Sequence, residues 1–256
     1  MVVLEVLDDL GIKPVALAGT SIGALIGAAY AAGMDGRSIR DFVLGTLRDR
    51  TSAMAALFDA PGQARRRQGR ALQPVPHRRR APPRTASARG RAEALEGPAP
   101  AAAGRGDGHG ARSEAVFDEG PLVPAIAGSI AIPGLLKPVR AGGRTLVDGG
   151  AVNPLPFDAL KGRADVLVAV DVTGVRSRKP ARLPGRFDAM FGTLQIMQAA
   201  IVAAKLENHR PDLVVLPPVD QYRVLDFLKA RAILAAADSL KDGLKRDLGR
   251  RLEARR

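Results

Sequence analysis

The chain of 256 residues contains no cysteine and no tryptophan, and it has only three histidines. Without cysteine there is no disulfide framework, no cysteine-ligated zinc site and no cysteine nucleophile. No residue spacing typical of a metal site is present either, so we expect neither a metal nor any other cofactor. Aromatic residues make up only 4% of the chain, but the hydrophobic fraction of 46% is enough for a sizeable core. The length suits one large α/β domain, or one such domain with a tail.

The sequence also lacks the pattern of a secretory leader. Glu5, Asp8 and Asp9 fall where the apolar part of a signal peptide would begin. The uncharged stretch Pro14–Gly33 is a candidate membrane span, but it begins at a proline and carries Thr-Ser at its middle. We interpret it as strand, turn and buried helix. The sequence therefore predicts a cytoplasmic protein without a transmembrane helix, with membrane contact limited to its periphery.

Positive charge is concentrated in one segment. The net charge is +13, and Pro61–Gly110 supplies +8 of it, from 11 Arg against 3 acidic residues. Arg, Ala, Gly and Pro make up 37 of its 50 residues, and it has no Ile, Phe, Tyr, Met or Lys. Such a composition buries too little apolar surface to fold. We interpret the segment as disordered or as the product of two compensating frameshifts. A genuine basic linker is the alternative, but it has no aromatic residues to stack on nucleic-acid bases.

Strand-like and helix-like stretches alternate outside this segment, which is typical of an α/β fold. The predicted helices are Met1–Gly11, Asp35–Leu47, Met190–Leu206 and most of Val224–Arg256, and a helix-like piece that includes Pro121–Ala127 ends near Ile132-Pro133-Gly134. The predicted strands are Lys13–Ala18, Arg144–Val147, Ala164–Val172 and Asp212–Leu216. We expect the helix over Met190–Leu206 to turn an apolar face to the core, with a lipid-facing helix as the alternative.

Residues 19–23 read G-T-S-I-G, a G-x-S-x-G pattern between a strand-like run and a run of small, helix-forming residues. A serine on a sharp strand-to-helix turn is exposed and can attack a carbonyl carbon. We expect the glycines on both sides to remove side chains that would collide at such a turn. The N–H groups at the start of the helix would face a developing oxyanion. Ser21 is therefore a candidate nucleophile.

A serine nucleophile needs a group that accepts its proton. Asp148 directly follows the predicted strand Arg144–Val147 and precedes two glycines. The carboxyl end of a strand is an active-site position in open α/β sheets. The alternative for Asp148 is a turn-capping role, since Asp-Gly turns are common.

The three histidines are weaker partners for the serine. His77 and His109 lie in the Arg-rich segment, and His209 lies at a charged helix end, where a solvated surface histidine is expected. A triad of Ser21, Asp148 and His209 has the chain order of α/β-hydrolases and stays open as an alternative.

The G-T-S-I-G pattern, followed by L-V-D-G-G-x-x-N-P at 146–154, resembles the patatin-like phospholipase family. Further similarity lies at 3–7 (V-L-E-V-L), 131–134 (A-I-P-G) and 225–227 (L-D-F), and the resemblance covers roughly residues 1–55 and 111–235. It implies an α/β fold of three layers, α/β/α, with a mostly parallel central sheet. The implied site consists of the nucleophile Ser21, the base Asp148 and their motif neighbours Gly19, Thr20, Ile22, Gly23, Gly149 and Gly150.

The resemblance also implies a function, a serine acyl hydrolase acting on lipid or other acyl esters through a Ser-Asp dyad. The implied catalytic domain covers residues 1–160, interrupted by 61–110, and residues 161–256 complete the same fold. The family has a glycine-rich oxyanion loop before the helix that contains Leu4 and Leu7, whereas this chain begins inside that helix. We therefore expect the loop to be absent and activity to be weak or lost. The alternative function is a non-catalytic basic protein that binds an anionic surface.

Overall fold

A computed structural model describes residues 1–47, 101–105, 113–174, 183, 185–223 and 226–255. The α-helices are α1 (Val2–Asp9), α2 (Ile22–Ala31), α3 (Gly36–Thr46), α4 (Leu122–Ser129), α5 (Arg186–Asn208), α6 (Ala230–Asp238) and α7 (Lys241–Glu253). The strands are β1 (Ala101–Arg105), β2 (Glu114–Phe117), β3 (Val139–Ala141), β4 (Arg144–Val147), β5 (Val168–Val170) and β6 (Leu213–Val215). Short 3-10 helices cover Gly149–Ala151, Phe157–Leu160 and Phe227–Lys229. Most of the Arg-rich segment, with His77 and His109, lies outside the described residues.

The described strands form two small sheets rather than a mostly parallel central one. The larger has the order β2-β1-β4-β3 with antiparallel pairings throughout, and the smaller is the parallel pair β5-β6. The strand predicted over Lys13–Ala18 is also wrong, since this stretch is coil and Val15 is 73% exposed. An apolar run becomes a strand only where a neighbour supplies ladder hydrogen bonds, and none of the described strands pairs with this run.

The prediction that the Arg-rich segment is disordered is wrong for five of its residues. Ala101–Arg105 lies within Pro61–Gly110, yet it forms β1 and pairs on one side with β2 and on the other with β4. The ladder hydrogen bonds come from backbone groups, so this pairing needs no large apolar side chains. The composition of a segment is therefore not enough to predict whether these five residues form a strand.

Helix boundaries and caps are predicted well near the N-terminus. α1 ends as expected before Gly11, whose φ of +66° suits glycine. The Asp35 carboxylate accepts a hydrogen bond from the Ser38 N–H and caps α3. α1 packs on α7 and β6 through Val6, which is fully buried. The buried Glu5 carboxylate pairs with cations of α3 and α7, which fixes these helices around α1.

The long helix α5 is apolar on two sides. One side packs on the core through Phe191 and Val202. The other forms an exposed stripe at helical spacing, made up of Thr193, Ile196, Met197, Ala200, Ala203 and Ala204. The expected core-facing apolar side of α5 is therefore confirmed, but the helix is not amphipathic, because its exposed side is apolar as well and only 11% of its most apolar window is buried.

By length and composition alone, α5 meets the criteria for a helix that crosses a membrane, a test that buried core helices also pass. The uncharged stretch Pro14–Gly33, in contrast, contains only the ten-residue helix α2. The only helix that meets these criteria in the described part of the chain is thus not the stretch that the sequence singled out.

Candidate active site

Ser21 stands at the start of α2 in a strained backbone conformation. Its φ is +54° and its ψ is −122°, and among the described residues it is the only non-glycine residue with positive φ. Such a conformation costs on the order of 1–3 kcal/mol and persists only where the surroundings hold it. The strained turn into a helix is the geometry that makes a serine a nucleophile in the G-x-S-x-G pattern.

The two glycines of the pattern have different steric roles. A Cβ on Gly19 would lie 2.5 Å from the backbone carbonyl carbon of Gly23 and 2.6 Å from the Ala24 nitrogen. A Cβ on Gly23 would meet nothing within 4 Å. The expectation that both glycines avoid a collision is therefore right for Gly19 and wrong for Gly23, because the backbones approach on one side of the serine only.

This difference predicts opposite effects of two matched substitutions. Gly19→Ala should destabilise the protein by about 1–3 kcal/mol and reduce any activity of the site, because the backbone of the turn must move. Gly23→Ala should stabilise it by about 0.5–1 kcal/mol, because alanine favours the helix. Urea unfolding of both variants measures the two shifts, and equal shifts would contradict this steric assignment.

Asp148 meets the serine through one carboxylate oxygen and caps a turn through the other. Its Oδ2 accepts a hydrogen bond of 2.6 Å from the Ser21 hydroxyl, and its Oδ1 accepts one of 2.7 Å from the Gly150 N–H. The backbone N–H of Asp148 donates to the Ala131 carbonyl at 3.0 Å. The two interpretations of this aspartate are thus compatible, since each uses a different oxygen.

Burial changes the acidity of this carboxyl group. Asp148 is only 5% exposed, and desolvation raises its pKa above the usual value of 3.8. The Ser21 hydroxyl and the Gly150 N–H stabilise the ionised form and offset part of this rise. A carboxylate with a raised pKa is a stronger base, which suits it to accept a proton from serine.

A polar network behind the serine was not predicted from the sequence. The Thr20 hydroxyl donates to the Asn153 carbonyl at 2.7 Å, and the Asn153 amide donates to Glu114 at 2.7 Å. Lys205 of α5 donates to the Asn153 side-chain oxygen at 2.6 Å and pairs with Asp158 at 2.5 Å. The only signal for it in the sequence is the asparagine of the L-V-D-G-G-x-x-N-P motif. The network ties the serine turn, the loop after β4 and α5 together.

The remaining predicted residues surround this pair. Gly149 and Gly150 are buried in the short helix after Asp148, and Ile22 begins α2 with 44% of its surface exposed. A Cβ on Gly150 would lie 2.4 Å from the Gln198 side-chain nitrogen and 2.9 Å from the Asp148 Oδ1. A side chain at this position would therefore displace the Gln198 amide and crowd the Asp148 carboxylate where α5 approaches it. Gln198, unlike Asn153, belongs to no sequence motif that would indicate its contact.

His209 is exposed at the C-terminal end of α5, whereas the Ser21 hydroxyl donates directly to Asp148. In the described ranges, no group of three or more His, Asp or Glu side chains is arranged to hold a metal ion. The geometry of the site is therefore that of a serine and a buried carboxylate in direct contact.

Comparison with known proteins identifies the family to which the chain belongs. An uncharacterized NTE family protein of Mycobacterium tuberculosis is 46% identical over 67 residues, which are 26% of this chain and 18% of that protein. Lysophospholipase NTE1 of Debaryomyces hansenii is 32% identical over 142 residues, covering 45% of this chain and 9% of that protein. The chain therefore matches less than a fifth of the length of these curated relatives. The family model for patatin-like phospholipases matches residues 1–161, well over half of the chain, so the chain belongs to the patatin-like phospholipase family.

Proposed function

We propose that this chain hydrolyses acyl esters of lipids, as a phospholipase A, lysophospholipase or esterase, with Ser21 as nucleophile and Asp148 as general base. The observation that carries the proposal is the 2.6 Å hydrogen bond from the Ser21 hydroxyl to the buried Asp148 carboxylate at the start of α2. Membership in a family of lipid hydrolases and similarity to lysophospholipases support it. We include in the proposal the three-layer α/β/α scaffold implied by the family resemblance.

The reaction proceeds in two halves. The Ser21 oxygen attacks the ester carbonyl carbon while its proton passes to Asp148 Oδ2. The tetrahedral intermediate collapses, the alcohol leaves with that proton, and the acyl group stays on Ser21. Asp148 then takes a proton from a water molecule, whose oxygen attacks the acyl-serine carbonyl carbon. Collapse of this second tetrahedral intermediate breaks the bond to Ser21, returns the proton from Asp148 to the Ser21 oxygen and releases the fatty acid. The raised pKa of Asp148 favours each proton transfer to the carboxylate.

The N-terminus of α2 supplies a donor for the oxyanion. The Ser21 N–H donates to the Ser129 hydroxyl and the Gly23 N–H to the Thr20 carbonyl. The Ile22 N–H lies between them and has no acceptor among the residues that the structure describes. The N–H of the residue after the nucleophile is an oxyanion donor in serine hydrolases with this turn, so we assign that role to Ile22.

The test is hydrolysis of p-nitrophenyl butyrate and of a lysophospholipid by the wild type, Ser21→Ala and His209→Ala. A fluorophosphonate probe, located by mass spectrometry, identifies the reactive serine. Adduct formation on Ser21 and full activity of His209→Ala support the dyad. A loss of turnover in His209→Ala would favour the triad, and an adduct on another serine would exclude Ser21 as nucleophile.

We also propose that the exposed stripe of α5 contacts the surface of a lipid bilayer. Ile196 is 72% exposed and Met197 is 54% exposed, and the opposite side of the same helix brings Gln198 against Gly150 beside Asp148. Burial of such side chains at the headgroup boundary stabilises peripheral binding. Contact through this stripe would bring the bilayer, which holds the ester, close to Ser21.

Two substitutions test this contact in vesicle co-sedimentation with phosphatidylcholine. Ile196→Glu should weaken binding by about tenfold, because one large apolar side chain contributes about 1.5–3 kcal/mol on full burial. Phe42→Glu is the matched control, since Phe42 is 66% exposed but lies on α3. Both variants should keep full turnover of the soluble ester. Equal binding by Ile196→Glu and the wild type would refute the contact.

A further inference from the structure

Ser129 touches the candidate nucleophile from a distant part of the chain. It is the last residue of α4 and is 0% exposed. Its hydroxyl oxygen accepts a hydrogen bond of 2.9 Å from the backbone N–H of Ser21, 108 positions earlier in the sequence. The contact is with the residue whose backbone is strained, at φ +54°. Such a conformation needs a surrounding that holds it.

The segment that carries Ser129 also holds Asp148. The Ala131 carbonyl accepts the Asp148 N–H at 3.0 Å. Gly128 lies so close to β4 that a Cβ there would be 2.6 Å from the Leu146 Cδ1. Residues 128–131 therefore accept hydrogen bonds from the backbone N–H groups of both members of the pair.

We propose that Ser129 is a positioning residue for Ser21. Its hydroxyl group holds the Ser21 backbone in the strained conformation, which directs the Ser21 side chain at Asp148 Oδ2. It also occupies the Ser21 N–H and leaves the Ile22 N–H to bind an oxyanion. The inference rests on the proposed function for its kinetic consequences, but the contact itself does not depend on catalysis.

Ser129→Ala removes the acceptor and leaves both reacting side chains in place. Displacement of a reacting group by about 1 Å costs on the order of 100-fold in rate. We therefore expect kcat for the soluble ester, and the rate of Ser21 phosphonylation, to fall about 10- to 100-fold. KM should change less than about threefold, because the Ser129 side chain is fully buried and is not available to bind the substrate. Ser129→Cys, which keeps a weak acceptor of similar size, should recover part of the rate.

Two controls separate positioning from a loss of stability. Val6→Ala removes packing from the fully buried core of α1, where Val6 packs on residues of β6 and α7 rather than on the pair. It should lower the unfolding temperature while leaving phosphonylation near the wild-type rate. Hydrogen exchange of the Ser21 amide, followed by NMR, reports the contact without any catalysis, and it should accelerate at least about tenfold in Ser129→Ala.

The outcomes are distinguishable. If the wild type does not react with the probe at Ser21, the proposed function fails, and amide exchange alone decides whether Ser129 holds the backbone. If the wild type reacts and Ser129→Ala reacts equally fast, the positioning role is wrong. Unchanged exchange of the Ser21 amide in Ser129→Ala would also overturn it, as would a loss in Val6→Ala equal to that in Ser129→Ala.

Discussion

Ser21→Ala should reduce kcat/KM for ester hydrolysis by at least about 1000-fold, because it removes the oxygen that carries the acyl group. The fold should persist, since the substitution deletes one half-buried hydroxyl group and adds nothing. In the described structure, the Asp148 carboxylate then loses the hydroxyl donor of Ser21 and keeps the backbone N–H of Gly150. The variant should therefore be less stable than the wild type wherever the buried carboxylate is ionised.

The matched control is Ser239→Ala. Ser239 is exposed at the end of α6, and its hydroxyl donates to the Ala236 carbonyl at 2.8 Å. This variant should keep the activity of the wild type, because nothing connects it with the site. The dyad assignment fails if Ser21→Ala retains more than about a tenth of the wild-type turnover. It fails as well if both variants lose activity to the same extent.

The sequence predicted the part of the site that lies in local motifs. The strand Arg144–Val147 has the predicted bounds, because glycines before it and Asp-Gly-Gly after it delimit a short run. Ser21 and Asp148 each stand where a regular element begins or ends. Their direct contact at 2.6 Å connects two such positions, and both the strand-end position of Asp148 and the family resemblance predict it.

Contacts between distant segments could not be predicted in this way. Ser129 is the last residue of a short apolar helix, and nothing in that sequence indicates that it faces a backbone N–H 108 positions away. The start of α2 crowds Gly19 but leaves space at Gly23. The G-x-S-x-G pattern does not distinguish the two glycines, because the direction in which α2 leaves the turn is not part of the pattern. The exposure of Ile196 depends on which other elements cover α5. The hydrophobic pattern of one helix does not indicate which elements these are.

Strand pairing also cannot be predicted from the local sequence of one strand. Lys13–Ala18 is apolar enough for a strand but has no partner among the described strands, whereas Ala101–Arg105 has a poor composition and two partners. Ladder hydrogen bonds decide both cases. Local propensity is therefore a weaker guide to the sheets of this protein than to its helices.

Asp148→Asn should abolish most of the activity while preserving the geometry of the site. The amide oxygen of the new side chain can accept the Gly150 N–H as Oδ1 does, and its nitrogen can donate to the Ser21 oxygen. This reverses the hydrogen bond to Ser21, so the serine proton has no acceptor. General-base catalysis contributes about 100- to 10,000-fold, and we expect a loss in kcat/KM within that range.

The same substitution should stabilise the protein at neutral pH. Burial raises the pKa of Asp148 above 3.8 in the folded state, so the folded chain binds this proton more tightly than the unfolded chain. Its contribution to the free energy of unfolding is fully present below about pH 3.8 and is lost as the pH rises through the folded pKa. The amide introduced by Asp148→Asn carries no charge, so the stability advantage of the variant should be largest at neutral pH and shrink on acidification. Urea unfolding at pH 7 and at pH 4.5, beside kcat/KM, measures both effects. A variant that is inactive and also less stable at pH 7 would mean that hydrogen bonds outweigh burial at this carboxylate. An active variant would remove Asp148 from the role of base.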